Sequence, residues 1–133
     1  IVVAATSSPH ALLTAEQLGH GAIVCDISRP SNLAPGLAEA RPDLLTLEGG
    51  VVALPPGIDL GVRLGLAPGL LYACMAETVL LSLARRETAG TRGDELSRAH
   101  LADLRALAAT HGFKAVAARG GRPLEAHEIA RGR

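Results

Sequence analysis

Aromatic side chains are nearly missing: the 133 residues hold one tyrosine, one phenylalanine and no tryptophan, 2% in all. A base-stacking platform for single-stranded nucleic acid needs such rings, so that class of function is excluded. Lysine is scarcer still, with Lys114 the single example. Net charge is absent too, since 13 basic residues balance 13 acidic ones. No basic stripe therefore points to nucleic acid or an anionic membrane. Long apolar runs are lacking: the best stretch, from Leu64 to Leu83, is broken by Gly65, Pro68, Gly69 and Glu77. That is too interrupted for a membrane span. Ile1 to Thr6 is apolar but far too short, and lacks the basic start, for a signal peptide.

Two cysteines, Cys25 and Cys74, make no disulfide framework, and without an export signal the expected compartment is the reducing cytoplasm. The five histidines show no metal-ligand spacing, so no metal is expected. The glycine-rich dinucleotide fingerprint is missing, because Gly61-Val62-Arg63-Leu64-Gly65 does not follow a strand and open a helix. Neither a serine nucleophile elbow nor a phosphate-binding loop of the Walker type occurs.

What is present is aliphatic. Apolar residues make up 48% of the chain, enough for a core of Leu, Val, Ile and Ala. Ile1 to Thr6 and Ala22 to Ile27 read as strands, and Leu44 to Leu47 as a third. Val51 to Leu54 reads as a short extension. The continuous apolar character of Ala22 to Ile27 predicts a strand of a parallel sheet, buried on both faces. Short helices and polar turns between the strands give the βαβ pattern. Thr14 with Gln17 marks a capped short helix. Pro68 suits the first residue of a helix running to Arg85 or Arg86, apolar nearly all round. Asp94 to Thr110 reads as an amphipathic helix closed by His111-Gly112. Phe113 to Ala118 is one more strand or docked segment, and 119–133 a loosely held tail. The fold class expected is α/β: the C-terminal half of a Rossmann-like parallel sheet followed by long helices. A strand at residue one suggests a fragment of a larger protein. The expected organisation is 1–66 for the partial nucleotide-binding domain, 67–118 for the helical segment, and 119–133 for the tail.

Cys74 is the candidate nucleophile. It lies about two turns into the expected helix, whose positive pole favours a thiolate, although the effect fades beyond the first turn. Glu77, three residues on, shares its face. A carboxylate in an apolar helix is costly without a partner or a task. The competing reading is that Cys74, like Cys25, only packs. In a parallel sheet, ligands bind beyond the carboxyl ends of the strands. Here those ends carry Thr6-Ser7-Ser8, Asp26 to Arg29 and Glu48-Gly49-Gly50, which suit a ribose or nicotinamide, or else plain turn chemistry.

Several blocks then fall in order: Ile1-Val2-Val3-Ala4-Ala5-Thr6-Ser7-Ser8; Ile23 to Leu33 with Asp26 and Pro30-Ser31-Asn32-Leu33; Leu47-Glu48-Gly49-Gly50-Val51-Val52; Tyr72-Ala73-Cys74-Met75-Ala76-Glu77; and His111-Gly112-Phe113. Together, over residues 1 to 118, they resemble the C-terminal part of the long-chain acyl-(acyl-carrier-protein) reductases and their shikimate- or amino-acid-dehydrogenase-like relatives. The resemblance implies an oxidoreductase that reduces a fatty acyl thioester to an aldehyde with NADPH. Cys74 would form the acyl-enzyme, and Glu77 would orient the helix or shuttle a proton. It also implies cofactor contacts at Ala5, Thr6, Ser7, Asp26, Gly49 and Gly50. The acyl group would arrive on acyl carrier protein or coenzyme A, and the segment alone would be inactive without the upstream part. Two alternatives stand beside this: a dehydrogenase of a small hydroxy or amino acid with a structural Cys74, and a non-catalytic nucleotide-binding domain.

Overall fold

The computed structural model describes residues 1–62, 64–86 and 97–131. In chain order its elements are β1 (Val2–Ala4), a 3-10 turn (Ala15–Gln17), β2 (Ile23–Asp26), α1 (Leu37–Ala40), β3 (Leu45–Glu48), β4 (Val51–Ala53) and β5 (Leu70–Tyr72). Then come α2 (Ala73–Leu83), α3 (Arg98–Thr110), β6 (Lys114–Ala115), β7 (Ala118–Arg119), β8 (Arg122–Pro123) and α4 (Ala126–Arg131). The architecture is mixed α/β, with parallel and antiparallel strands in two sheets. Among the described residues no helix is long and apolar enough to cross a membrane.

Contacts divide the chain into two compact units. Unit 1 is Ile1–Gly49 with Ala117–Arg133, and unit 2 is Gly50–Val116. This partition differs from the expected borders after residues 66 and 118. The expected border near 66 followed from the helix expected from Pro68, whereas the pairing of β4 with β5 and β6 keeps residues on both sides of it in unit 2.

In unit 1 the sheet order is β1-β2-β3-β7-β8. The first three strands are parallel, with Val2 opposite Val24 and Val24 opposite Thr46. The core lies on one face, where Leu18, Val24, Leu37 and Leu44 are buried and Val2, Leu13 and Leu33 pack against them. Full burial of β2 on both faces is corrected: Val24 and Asp26 are buried, but Ile23 and Cys25 on the opposite face are only half-buried, and Ile27 just after the strand is 49% exposed. Crossovers between parallel strands are right-handed. When the strands step in one direction across the sheet, that rule puts both crossovers on the same side.

Arg41 fixes these crossovers in place. Its Nη1 donates to the carbonyls of Ala15 and Leu18, while Nε and Nη2 hold the Asp43 carboxylate at 2.7 and 2.8 Å. That bond to Arg41, with the Gly21 N–H adding a second, holds the Asp43 carboxyl well below the usual range. The short helix expected after Thr14 is a single 3-10 turn, and the Thr14 N–H donates to Gln17 Oε1 at 2.8 Å.

The segment expected to be a loose tail is built into unit 1. Gly120 and Gly121, at φ 59° and 75°, make the tight β7–β8 turn. Two successive positive φ values are what a two-residue hairpin with native strand twist requires. The Gly121 N–H donates to Glu48 Oε2 at 2.6 Å, and Glu128 receives Arg119 and Arg122. Leu124 is buried.

Unit 2 is a three-stranded antiparallel sheet, β5-β4-β6, carrying α2 and α3. Leu71, Ala76, Leu80 and Phe113 form its core, with Val52, Leu107 and Ala108 against it. The helix expected from Pro68 starts five residues later, at Ala73. Gly69 takes φ 79°, and Leu70 to Tyr72 pair with Val51 to Ala53 as a strand. Tertiary pairing thus overrides a local helix signal. Arg85, at φ 51°, closes α2, and the Arg86 N–H returns to the Leu81 carbonyl at 2.9 Å. That is the usual helix-ending geometry with arginine where glycine is commoner. The described part of the second helix begins at Arg98, capped by Ser97, whose Oγ accepts from the His100 N–H. Its expected start at Asp94 lies outside the described residues.

Candidate functional site

The residues singled out from sequence fall into two groups. Cys74 and Glu77 belong to unit 2. Ala5, Thr6, Ser7, Asp26 and Gly49 belong to unit 1, and Gly50 is the first residue of unit 2.

Cys74 is exposed and free. It is the second residue of α2, directly after β5, rather than two turns into a helix. The first-turn N–H groups of a helix have no partners within it and point towards its N-terminal end. In α2 the Ala73 N–H is already taken by the Gly50 carbonyl at 2.7 Å. Glu77 lies three residues on, and its Oε1 is 3.0 Å from His100 Nε2 of α3. Both side chains are mostly covered, at 22% and 14% exposure. The carboxylate in an apolar helix therefore has a partner. Sequence reading missed His100, because 23 residues separate it from Glu77 and nothing local marks the pairing.

Cys74 and Glu77 line an open groove of about 1070 Å³ between α2, α3 and the sheet of unit 2. Its walls are mainly apolar, including Val52, Leu80, Leu101, Leu104 and Phe113. Arg98, Arg105 and Lys114 stand at the groove as well. The arrangement offers a reachable thiol, a carboxylate–imidazole pair and an apolar bed.

The strand ends of unit 1 are built differently. Asp26 is 2% exposed and Asn32 fully buried. The Asp26 carboxylate accepts from the N–H of Ser28 at 2.9 Å, from Ser31 Oγ at 2.7 Å and from the N–H of Asn32 at 2.8 Å. Asn32 Oδ1 accepts from Thr6 Oγ1 at 2.6 Å and Ser28 Oγ at 2.7 Å. Its Nδ2 donates to the carbonyls of His10 and Ser8. The Thr6 N–H donates to Ser28 Oγ at 3.0 Å. Thr6 and Asp26 thus tie the loop after β1 to the loop after β2. Ala5 and Ser7 are exposed beside this knot. Gly49 is required by packing: a Cβ there would lie 2.7 Å from Ile27 Cγ1 and 3.0 Å from Cys25 Sγ. Gly50 has φ 71° and its carbonyl accepts from the Ala73 N–H.

Burial alone would push the Asp26 carboxyl up, but the hydrogen bonds from Ser31, Ser28 and Asn32 outweigh it and hold the group below its ordinary range. A lowered folded-state value stabilises the fold fully above the unfolded-state pKa of about 3.9, and that contribution is lost as pH falls through the folded value. We expect acid unfolding, followed by far-UV circular dichroism, to be shallower below about pH 4 in Asp26→Asn than in the parent. Equal slopes would show that Asp26 does not contribute to acid sensitivity.

No family model matches the chain. It is 30% identical over 116 residues to the aminotransferase PigE of Serratia sp. (strain ATCC 39006), an alignment covering 85% of this chain and 13% of that protein. The chain thus spans a small part of the length of that relative. This corrects the expected resemblance to acyl-(acyl-carrier-protein) reductases and the NADPH-dependent reduction of an acyl thioester. The relative is an aminotransferase by name, and amino transfer moves a nitrogen group, not a hydride. The assignment of NADPH as cofactor is withdrawn on the same ground.

Proposed function

We propose that the chain is a substrate-handling segment of a larger enzyme, and that Cys74 is the nucleophile it contributes. The observation that carries this is the placement of an exposed thiol at the second residue of α2, in an apolar groove beside the Glu77–His100 pair. The substrate is an apolar carbonyl compound, the class of acceptor that amino transfer consumes. The Cys74 sulfur adds to the carbonyl carbon, and the carbonyl π pair moves to oxygen. The thiol proton passes to the Glu77–His100 pair, and that pair returns a proton to the oxygen. The first-turn N–H groups of Cys74 and Met75 stabilise the charge that develops on oxygen, that of Ala73 being bonded to the Gly50 carbonyl. The product is a reversible thiol adduct, with no change in oxidation state.

Amino transfer itself is ordinarily carried by pyridoxal phosphate on a lysine. Here the one lysine, Lys114, is exposed on the two-residue strand β6. The groove it borders has Glu77 as its carboxylate, already bonded to His100. An exposed lysine with, among the described residues, no second carboxylate at the groove does not suit an imine that must be shielded from water, so the described residues do not fit the group. We assign amino transfer to parts of a larger protein outside this segment. The parallel strands β1, β2 and β3 support reading unit 1 as half of a doubly wound sheet, and two free thiols suit a reducing compartment such as the cytoplasm.

The test is thiol chemistry read by mass spectrometry and NMR. Iodoacetamide should label Cys74 about tenfold faster than the half-buried Cys25. Octanal labelled with carbon-13 at its carbonyl should show a new adduct signal, lost in Cys74→Ala and weakened in His100→Ala. An adduct signal that persists in Cys74→Ala would overturn the reading.

A further inference from the structure

The groove that holds Cys74 gathers positive charge in a chain whose net charge is zero. Arg98, Arg105 and Lys114 line it, against one carboxylate, Glu77. Glu77 is already bonded to His100. Arginines elsewhere are matched to acids: Arg41 to Asp43, Arg86 to Asp103, and Arg119 and Arg122 to Glu128. Arg98 and Arg105 have no such partner among the described residues.

Spacing sets these two arginines on one face. Arg98, Leu101 and Arg105 stand at i, i+3 and i+7 of α3, so they share a side of the helix. Seven residues put the arginines about 10 Å apart along the axis. Both side chains are long enough to reach an anion lying over Leu101. Leu101 itself is 43% exposed, a large apolar side chain open to solvent. Alanines on both walls, Ala73 and Ala76 of α2 and Ala102 and Ala109 of α3, keep the groove wide beside it. The groove is therefore apolar along its length and carries two guanidinium groups on one wall. A neutral hydrocarbon chain would use the first feature and leave the second idle.

We propose that Arg98 and Arg105 hold a carboxylate of the substrate, which makes that substrate an oxo acid. Its carbonyl meets Cys74, its apolar chain lies along Leu101, Leu104 and Phe113, and its charged end sits on α3. A guanidinium presents paired N–H donors that fit the two oxygens of a carboxylate. A hydroxyl brings no charge to that contact, and an ammonium is repelled by it. The carbonyl half of this inference rests on the Cys74 reading. The carboxylate half does not, and the two are tested apart.

The first measurement is an NMR titration of the 133-residue chain at pH 7 with octanoate, 1-octanol and octylamine. Octanoate should shift the Arg98, Leu101 and Arg105 signals and saturate, in the parent and in Cys74→Ala alike. It should bind about fivefold tighter than octanol, the size expected for exposed ion pairs, with octylamine weakest. High salt should shrink that advantage. Both arginines are exposed and glutamine has similar helix propensity, so the double variant Arg98→Gln, Arg105→Gln keeps α3. In it octanoate should bind no better than octanol. The second measurement compares octanal with 8-oxooctanoate, each labelled with carbon-13 at the aldehyde carbon. The Cys74 adduct should form at about fivefold lower concentration of the acid, and that ratio should fall to about one in the double variant. Octanol binding as tightly as octanoate, octanoate seated only at Arg119 and Arg122, or a ratio untouched by the double variant would each overturn the proposal. Octanoate held by the arginines with no adduct from either aldehyde would overturn the Cys74 reading, and with it the carbonyl end, while upholding the carboxylate contact.

Discussion

Asn32→Ala should cost about 3–5 kcal/mol of stability, among the largest effects of any single change in unit 1. The side chain is fully buried and works at both ends. Its removal leaves the Thr6 and Ser28 hydroxyls without their acceptor, and the His10 and Ser8 carbonyls without their donor. Each stranded group costs roughly 1–3 kcal/mol, and the contributions are less than additive because the groups share one network. Chemical denaturation followed by circular dichroism gives the value. Asn32→Asp keeps the acceptor but loses the donor and sets a second negative charge beside Asp26, whose carboxylate already accepts the Asn32 N–H. It should also destabilise at neutral pH. A loss below about 1 kcal/mol in Asn32→Ala would show that water replaces the amide at little cost.

The second large effect is expected at Leu71. This residue is 2% exposed on the central part of β5 and packs with Ala76, Leu80 and Phe113. Truncation to alanine loses the transfer free energy of the removed carbons and leaves a cavity, together about 2–5 kcal/mol. Leu83→Ala, at a leucine 54% exposed on the last residue of α2, should change stability by less than about 0.5 kcal/mol. The same denaturation experiment on both variants measures the contrast. Equal losses would mean that the core of unit 2 is not where the burial pattern puts it.

The parallel strands were legible because their side-chain patterns are local. Ala22 to Ile27 and Leu44 to Leu47 read as strands, and β2 and β3 fall within a residue of them. What local pattern does not carry is partner choice. Pro68 and the apolar residues after it have helical chemistry, yet β4 takes Leu70 to Tyr72 as its neighbour, and the helix is delayed to Ala73. That shift moves Cys74 from about two turns into the expected helix to the second residue of α2. The Glu77–His100 and Thr6–Asn32 contacts span 23 and 26 residues, beyond any spacing rule. By contrast, Gly120-Gly121 is a hairpin signal that sequence alone supports, and reading 119–133 as loose overlooked it.

Unit 2 enters the chain between β3 and β7, so unit 1 is encoded in two pieces. The bond from Gly121 to Glu48 spans 73 residues. Closing a loop that long is entropically slow unless something shortens it, and prior folding of the intervening stretch does so. During synthesis the third strand therefore stays unmatched along one side at least until Ala118 and Arg119 have emerged from the ribosome. Loop-closure entropy thus favours an order of inside before outside, with the inserted segment collapsing ahead of the closing of the interrupted sheet.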